Sequence, residues 1–157
     1  MEAIFGIKDE VSQKTAQCLA GILADEYVLY TKTKKAHWNV EGLDFHAKHV
    51  LFEEQFTKLD EMIDDIAERI RTIGHYVSGS LREFLSLTSL SEKTDSSNDS
   101  RGNIHELLAD HRSIIISIRE AIGSEDGKML DLGTSDFLTG IMATHEKMAW
   151  MLSSSLK

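Results

Sequence analysis

Proline is missing from all 157 residues, and with it the commonest interruption of a helix. A single cysteine, Cys18, excludes an intramolecular disulfide, as suits a reducing compartment. No run approaches the roughly 18 uninterrupted apolar residues that a membrane-spanning helix requires. The opening MEAIFGIKDE has no basic leader followed by an apolar segment, so no export signal is expected. The expectation is a cytoplasmic chain with no membrane partner. Basic residues are also short: 17 Lys and Arg stand against 26 Asp and Glu, a formal net charge of −9. Such a surface repels nucleic acid and attracts cations. Seven histidines accompany these carboxylates, so metal ions are the expected partners rather than phosphates.

What is present reads as one globular domain over residues 1–157, with 41% hydrophobic and 27% charged residues. Apolar residues recur at helical period. From about 7 to 37, Leu19, Ile22, Leu23, Tyr27 and Tyr30 form one stripe. From about 44 to 74, Phe45, Phe52, Phe56, Leu59, Ile63, Ile66, Ile70 and Ile73 form a heptad seam. Helices are also predicted over about 104–123, with Asn103 and Glu106 as a capping box, and over about 135–155, with Thr134 as its cap. A short turn containing Gly42 makes the first two helices antiparallel neighbours. The link from 76 to 103 is long, carries a short amphipathic helix over Leu81–Leu87, and can cross the whole bundle. The fold class is therefore all-α: a ferritin-like four-helix bundle with one long crossover between helices two and three.

The second helix holds the chemistry. His49 and Glu53 share a face, as do Asp64 and Glu68. Glu53, Asp60, Asp64 and Glu68 form an acidic row beside the seam, which repels itself unless a cation sits there. Taken alone, such a row is more often a solvated face. Two features shift that balance. His49 falls on the apolar seam, where an unpaired imidazole is costly. His37 ends the first helix, and the short turn brings it back toward His49. Two imidazoles and one carboxylate, Glu53, can then converge from one chain, a donor set suited to iron, manganese or zinc. His49 and Asp64 stand 15 residues apart, about 22 Å along one helix, and so cannot hold the same ion within one chain. They can do so if two copies of the helix cross antiparallel about a two-fold axis near residue 57, giving two sites per dimer.

The run His37-Trp38-Asn39-Val40, with Gly42, Phe45, His49, Glu53, Asp64, Ala67, Glu68 and Arg69, resembles the signature of the Dps proteins, the mini-ferritins of starved bacterial cells. The segments Asp136–Thr139 and His145–Trp150 are similar to that family's fourth helix. The resemblance implies a hollow dodecamer whose ferroxidase ligands are His37, His49 and Glu53 from one chain and Asp64 and Glu68 from its partner. It also implies that Fe(II) is oxidised, typically by hydrogen peroxide, and stored as ferric mineral, protecting against oxidative stress. Trp38 could intercept stray oxidising equivalents there, although packing against the turn is the more ordinary role. Asp131 and Asp136 flank the start of the last helix, where the family lines pores with acids; helix capping is the alternative reading for both.

His111 and His145 fall on apolar stripes and are expected to be satisfied core residues. His46, His75 and His105 are expected at the surface or at interfaces. Lys32, Lys34 and Lys35 read as a solvated helix end. A bacterioferritin-type centre inside the bundle would use Glu-x-x-His pairs, and no histidine here has Glu three positions before it. A nucleoid-compacting protein with secondary iron chemistry is the rival from another class. The want of a Lys/Arg-rich tail weighs against it, and DNA binding is not the expected role.

Overall fold

The structure is a computed structural model that describes residues 5–92, 98–123 and 130–157. Among these residues the elements are α1 (Asp9–Asn39), α2 (Phe45–Thr72), α3 (Leu81–Leu87), α4 (Ser100–Gly123) and α5 (Leu132–Ser154). No strand occurs among the described residues, only an isolated bridge between Glu41 and Asp99. None of these helices is long and apolar enough to cross a membrane.

Local chemistry explains the boundaries. Asp9 and Glu10 open α1, matching the positive N-terminal end of the helix dipole. The chain then reverses through Gly42 at φ +125°, a backbone conformation that side-chain-bearing residues rarely adopt. Gly74, at φ 96°, closes α2, with the His75 N–H donating to the Ile70 carbonyl at 3.1 Å in the manner of a glycine C-terminal cap.

Two expected caps are corrected. α4 starts three residues before Asn103. The carboxylate of Asp99 accepts from the Gly102 N–H at 2.8 Å, while Asn103 lies inside the helix and donates to the Asp99 carbonyl. Glu106 is drawn away to Lys32, at 2.9 Å. At α5 the cap is Asp131, whose carboxylate accepts from the Thr134 N–H. A genuine capping box is instead found at α3, between Ser80 and Glu83.

The connections establish the crossover. Ser12 near the start of α1 donates to the Ile73 carbonyl at 2.8 Å, so α2 ends beside the start of α1. The Glu41 N–H donates to the Asn98 carbonyl at 3.1 Å, and Ser100 donates to Asp44, so α4 starts at the opposite end, beside the α1–α2 turn. The link between α2 and α4 thus runs the length of the bundle. It is pinned midway: Phe84 of α3 stacks on Tyr27 with ring centroids 4.3 Å apart. Buried Asp25 accepts from the Thr88 hydroxyl and from both the N–H and the hydroxyl of Ser89.

The core joins Leu19 and Leu29 of α1, Phe52, Leu59 and Ile66 of α2, Ile114 and Ile118 of α4, and Leu138 and Leu152 of α5. Burying each such side chain contributes about 1.5–3 kcal/mol. The seam predicted for α2 is buried from Phe52 to Ile73, except for partly exposed Phe56. Phe45 is 45% exposed, because α1 stops at Asn39 and offers little to cover the first turn of α2. Lys32 is no solvated helix end: its side chain is 10% exposed and pairs with Glu106 and Asp110.

Candidate metal centre

His37 and His49 meet across the α1–α2 turn. Their rings stack with centroids 3.7 Å apart and planes inclined by 22°. Nδ1 of His37 lies 2.8 Å from the carbonyl oxygen of His49, and Nδ1 of His49 lies 2.8 Å from the carbonyl oxygen of His37. A carbonyl only accepts, so each Nδ1 is the donor. With Nδ1 protonated, the neutral ring keeps its lone pair on Nε2. Such backbone hydrogen bonds fix the tautomer and orientation of metal-ligating imidazoles. Phe56 packs edge-on against His37, and Phe45 lies against His49. The turn therefore builds two oriented Nε2 donors.

The carboxylates do not complete the site within one chain. Glu53, Asp60, Asp64 and Glu68 are all exposed. Among the described residues, no three His, Cys, Asp or Glu side chains form a group able to hold a metal ion. The expected convergence of Glu53 with the two imidazoles is therefore not seen. Glu53 stands on the exposed face, where hydration competes for its carboxylate, whereas the histidines are fixed by main-chain hydrogen bonds. Asp64 and Glu68 lie four and five turns further along α2, as the helix rise requires.

Trp38 does not pack down on the turn. It is 67% exposed, and the Lys34 ammonium sits 5.7 Å from its ring centroid. Asp131 is committed to structure: beyond capping α5 it accepts from Arg69 Nη2 at 2.8 Å, and Arg69 Nε donates to the Thr134 hydroxyl. Asp136 is exposed and lies past the first turn of α5, so it does not cap that helix. Of the remaining histidines, His46 and His105 are exposed, and half-buried His75 contacts the Ser12 hydroxyl through Nε2 at 2.8 Å. That hydroxyl already donates to Ile73, so His75 is the donor.

Sequence reasoning missed a buried polar chain in the bundle core. His111 of α4, His145 of α5 and Glu26 of α1 are all 0% exposed. Nδ1 of His111 is 2.8 Å from Nδ1 of His145, and Nε2 of His145 is 2.5 Å from Oε1 of Glu26. Burial, reinforced by the neighbouring His145, holds the His111 imidazole well below the usual histidine range. His111 and His145 were expected in the core; Glu26 was not singled out. The signal was there, because Ile22, Glu26 and Leu29 share one helical stripe. Nearby, burial pushes the Asp110 carboxyl up, with Lys32 acting in the opposite direction.

Comparison with known proteins agrees with this architecture. A ferritin-like domain family matches residues 17–157. The chain is 43% identical over 152 residues to a low temperature-induced protein of Nostoc sp., covering 97% of this chain and 85% of that one. It is 34% identical over 143 residues to the DNA protection during starvation protein of Helicobacter pylori, covering 91% of this chain and 99% of that one. The crystal structure of a Dps protein from Vibrio cholerae, described as a member of a superfamily of ferritin-like diiron-carboxylate proteins, superposes with a TM-score of 0.91 at 32% identity. It covers 98% of this chain and 96% of that one. The chain belongs to the ferritin-like family and, within it, to the Dps proteins.

Proposed function

We propose that this chain is an iron-storage ferroxidase. It binds Fe(II) as substrate at sites shared between two-fold-related copies and oxidises it with hydrogen peroxide. The ferric product is kept inside a hollow dodecamer, which protects the cell against oxidative stress. The observation that carries the reading is the His37–His49 pair: two imidazoles whose Nδ1 atoms donate to main-chain carbonyls, leaving their Nε2 atoms to face a metal. Half a site is preformed on each chain, and the carboxylates, which do not group with the pair in the single chain among the described residues, close on it when the metal and a second copy are in place. Glu53 of the same chain, with Asp64 and Glu68 of a second copy, supplies the carboxylates. Exposed Trp38, Leu43, Phe45 and Val50 near the histidine pair in sequence are an apolar surface of the kind a partner subunit covers.

Imidazole and carboxylate together suit iron, and an acid-rich set favours Fe(III) over Fe(II), so the surroundings drive oxidation. The two-electron reduction of peroxide consumes about two Fe(II) per peroxide and releases no hydroxyl radical. Trp38, exposed and next to His37 in sequence, intercepts stray oxidising equivalents on this reading. Asp136, with Asp131 held by Arg69, is the acid left to guide Fe(II) through a pore. The activity is tested by adding Fe(II) anaerobically, then peroxide, and following Fe(III) absorbance. The expected consumption is about two irons per peroxide. Oxidation no faster than in protein-free buffer would contradict the reading.

A further inference from the structure

The chain of Glu26, His145 and His111 has no part in the iron site, yet it joins three helices of the bundle through groups that are 0% exposed. Its geometry limits how many protons it can hold. Each of the two contacts, 2.8 Å between the Nδ1 atoms and 2.5 Å between His145 Nε2 and Glu26 Oε1, takes one proton. With none, two lone pairs face each other; with two, both partners are donors and neither accepts. A third proton can sit only on His111 Nε2 or Glu26 Oε2, and both are buried atoms without a hydrogen-bond partner. A donor placed there has no side-chain or main-chain acceptor, which is costly for a buried group.

No other charge relieves the chain. The buried side chains of α2 include no ionisable group. On α1, Asp25 is taken by Thr88 and Ser89. On α4, Asp110 is taken by Lys32 at 2.5 Å. In the unfolded chain both imidazoles accept a second proton freely once the pH falls below about 6.5.

We propose that Glu26, His145 and His111 form an acid-sensitive lock in the bundle core, holding α1, α4 and α5 together at neutral pH and releasing them in acid. The sign follows from proton linkage. Below pH ~6.5 the unfolded state binds more protons than the folded state, so stability falls as pH falls. His111 alone contributes a roughly sixfold loss in the folding equilibrium constant per pH unit between about pH 5.0 and 6.5.

The test is urea unfolding of the assembled protein between pH 5.0 and 6.5 at fixed protein concentration, read by helical circular dichroism. His111→Gln keeps an N–H for His145 Nδ1 but cannot take up a proton. The folding equilibrium constant of the wild type is expected to fall roughly sixfold more per pH unit than that of H111Q across this window. If H111Q fails to assemble, His111→Leu serves, because it too removes the titrating group. A wild-type stability that does not change over this range overturns the proposal without any variant. A slope retained in full by a folded His111 variant overturns it as well.

Discussion

Replacing Asp131 by alanine separates a structural role from a role in iron entry, and its cost can be worked from the structure. Besides a hydrogen bond from the Thr134 hydroxyl, two contributions are lost. The first is the N-terminal cap of α5, since Asp131 accepts from the Thr134 N–H; removing such a cap costs about 0.5–2 kcal/mol. The second is the Arg69 ion pair, with side chains 22% and 13% exposed. A fully buried pair broken on one side costs about 3–5 kcal/mol. Partial exposure, and the remaining Arg69 bond to Thr134, reduce this to about 1 kcal/mol. The sum is about 1.5–3 kcal/mol, equivalent to a fall in Tm of roughly 5–10 °C for a chain of this size. Asn caps as well as Asp, so Asp131→Asn loses only the charge and should fall by roughly 2–4 °C. The assay is thermal circular dichroism at one protein concentration, because assembly makes Tm concentration-dependent. The expected order is wild type, then D131N, then D131A, with Fe(II) uptake at 25 °C unchanged in D131N. A D131A protein that melts with the wild type, or a D131N protein that takes up iron slowly, would refute the structural assignment.

Three further outcomes follow from the same structure. Changing His37 and His49 together to Gly should slow peroxide-driven Fe(II) oxidation sharply while helicity persists; an unchanged stopped-flow rate would remove the pair from the mechanism. Asp136→Asn should slow iron uptake and weaken its salt dependence without abolishing oxidation, because Asp136 is exposed and caps nothing; equal uptake at low salt would end its pore role. DNA binding should be weak at neutral pH near 150 mM salt, given a net charge of −9, and a stable complex in a gel shift without added divalent cations would overturn that.

Helix number, order and crossover were legible because they rest on periodicity and loop length, which a sequence displays directly. The α2 seam and the Leu81–Leu87 helix are where the spacing places them. The caps were less legible, since Asn103 and Asp99 at α4, or Thr134 and Asp131 at α5, have similar capping chemistry and only the backbone path selects between them. The approach of His37 to His49 followed from the short turn, but the exchange of Nδ1 hydrogen bonds between them did not, because a main-chain acceptor leaves no mark on composition. Phe45 and Trp38 read as apolar and packed, yet both are exposed on the single chain. Periodicity reports an apolar face and not whether the same chain covers it. The Glu26 chain was hidden for the opposite reason: an ionisable residue on an apolar stripe looks like a break in the pattern until its partners on α4 and α5 are in place.

The claim that two chains share each iron site is tested most directly by mixing subunits. One variant lacks His37 and His49, the other lacks Asp64 and Glu68, and each alone should be inactive. Co-assembly from equal unfolded pools makes about half of the two-fold dimers mixed, and each mixed dimer has one interface pairing intact histidines with intact carboxylates. Recovery of roughly a quarter of the wild-type ferroxidase sites is the predicted result. No recovery, with mixed dimers verified by native mass spectrometry, would contradict it.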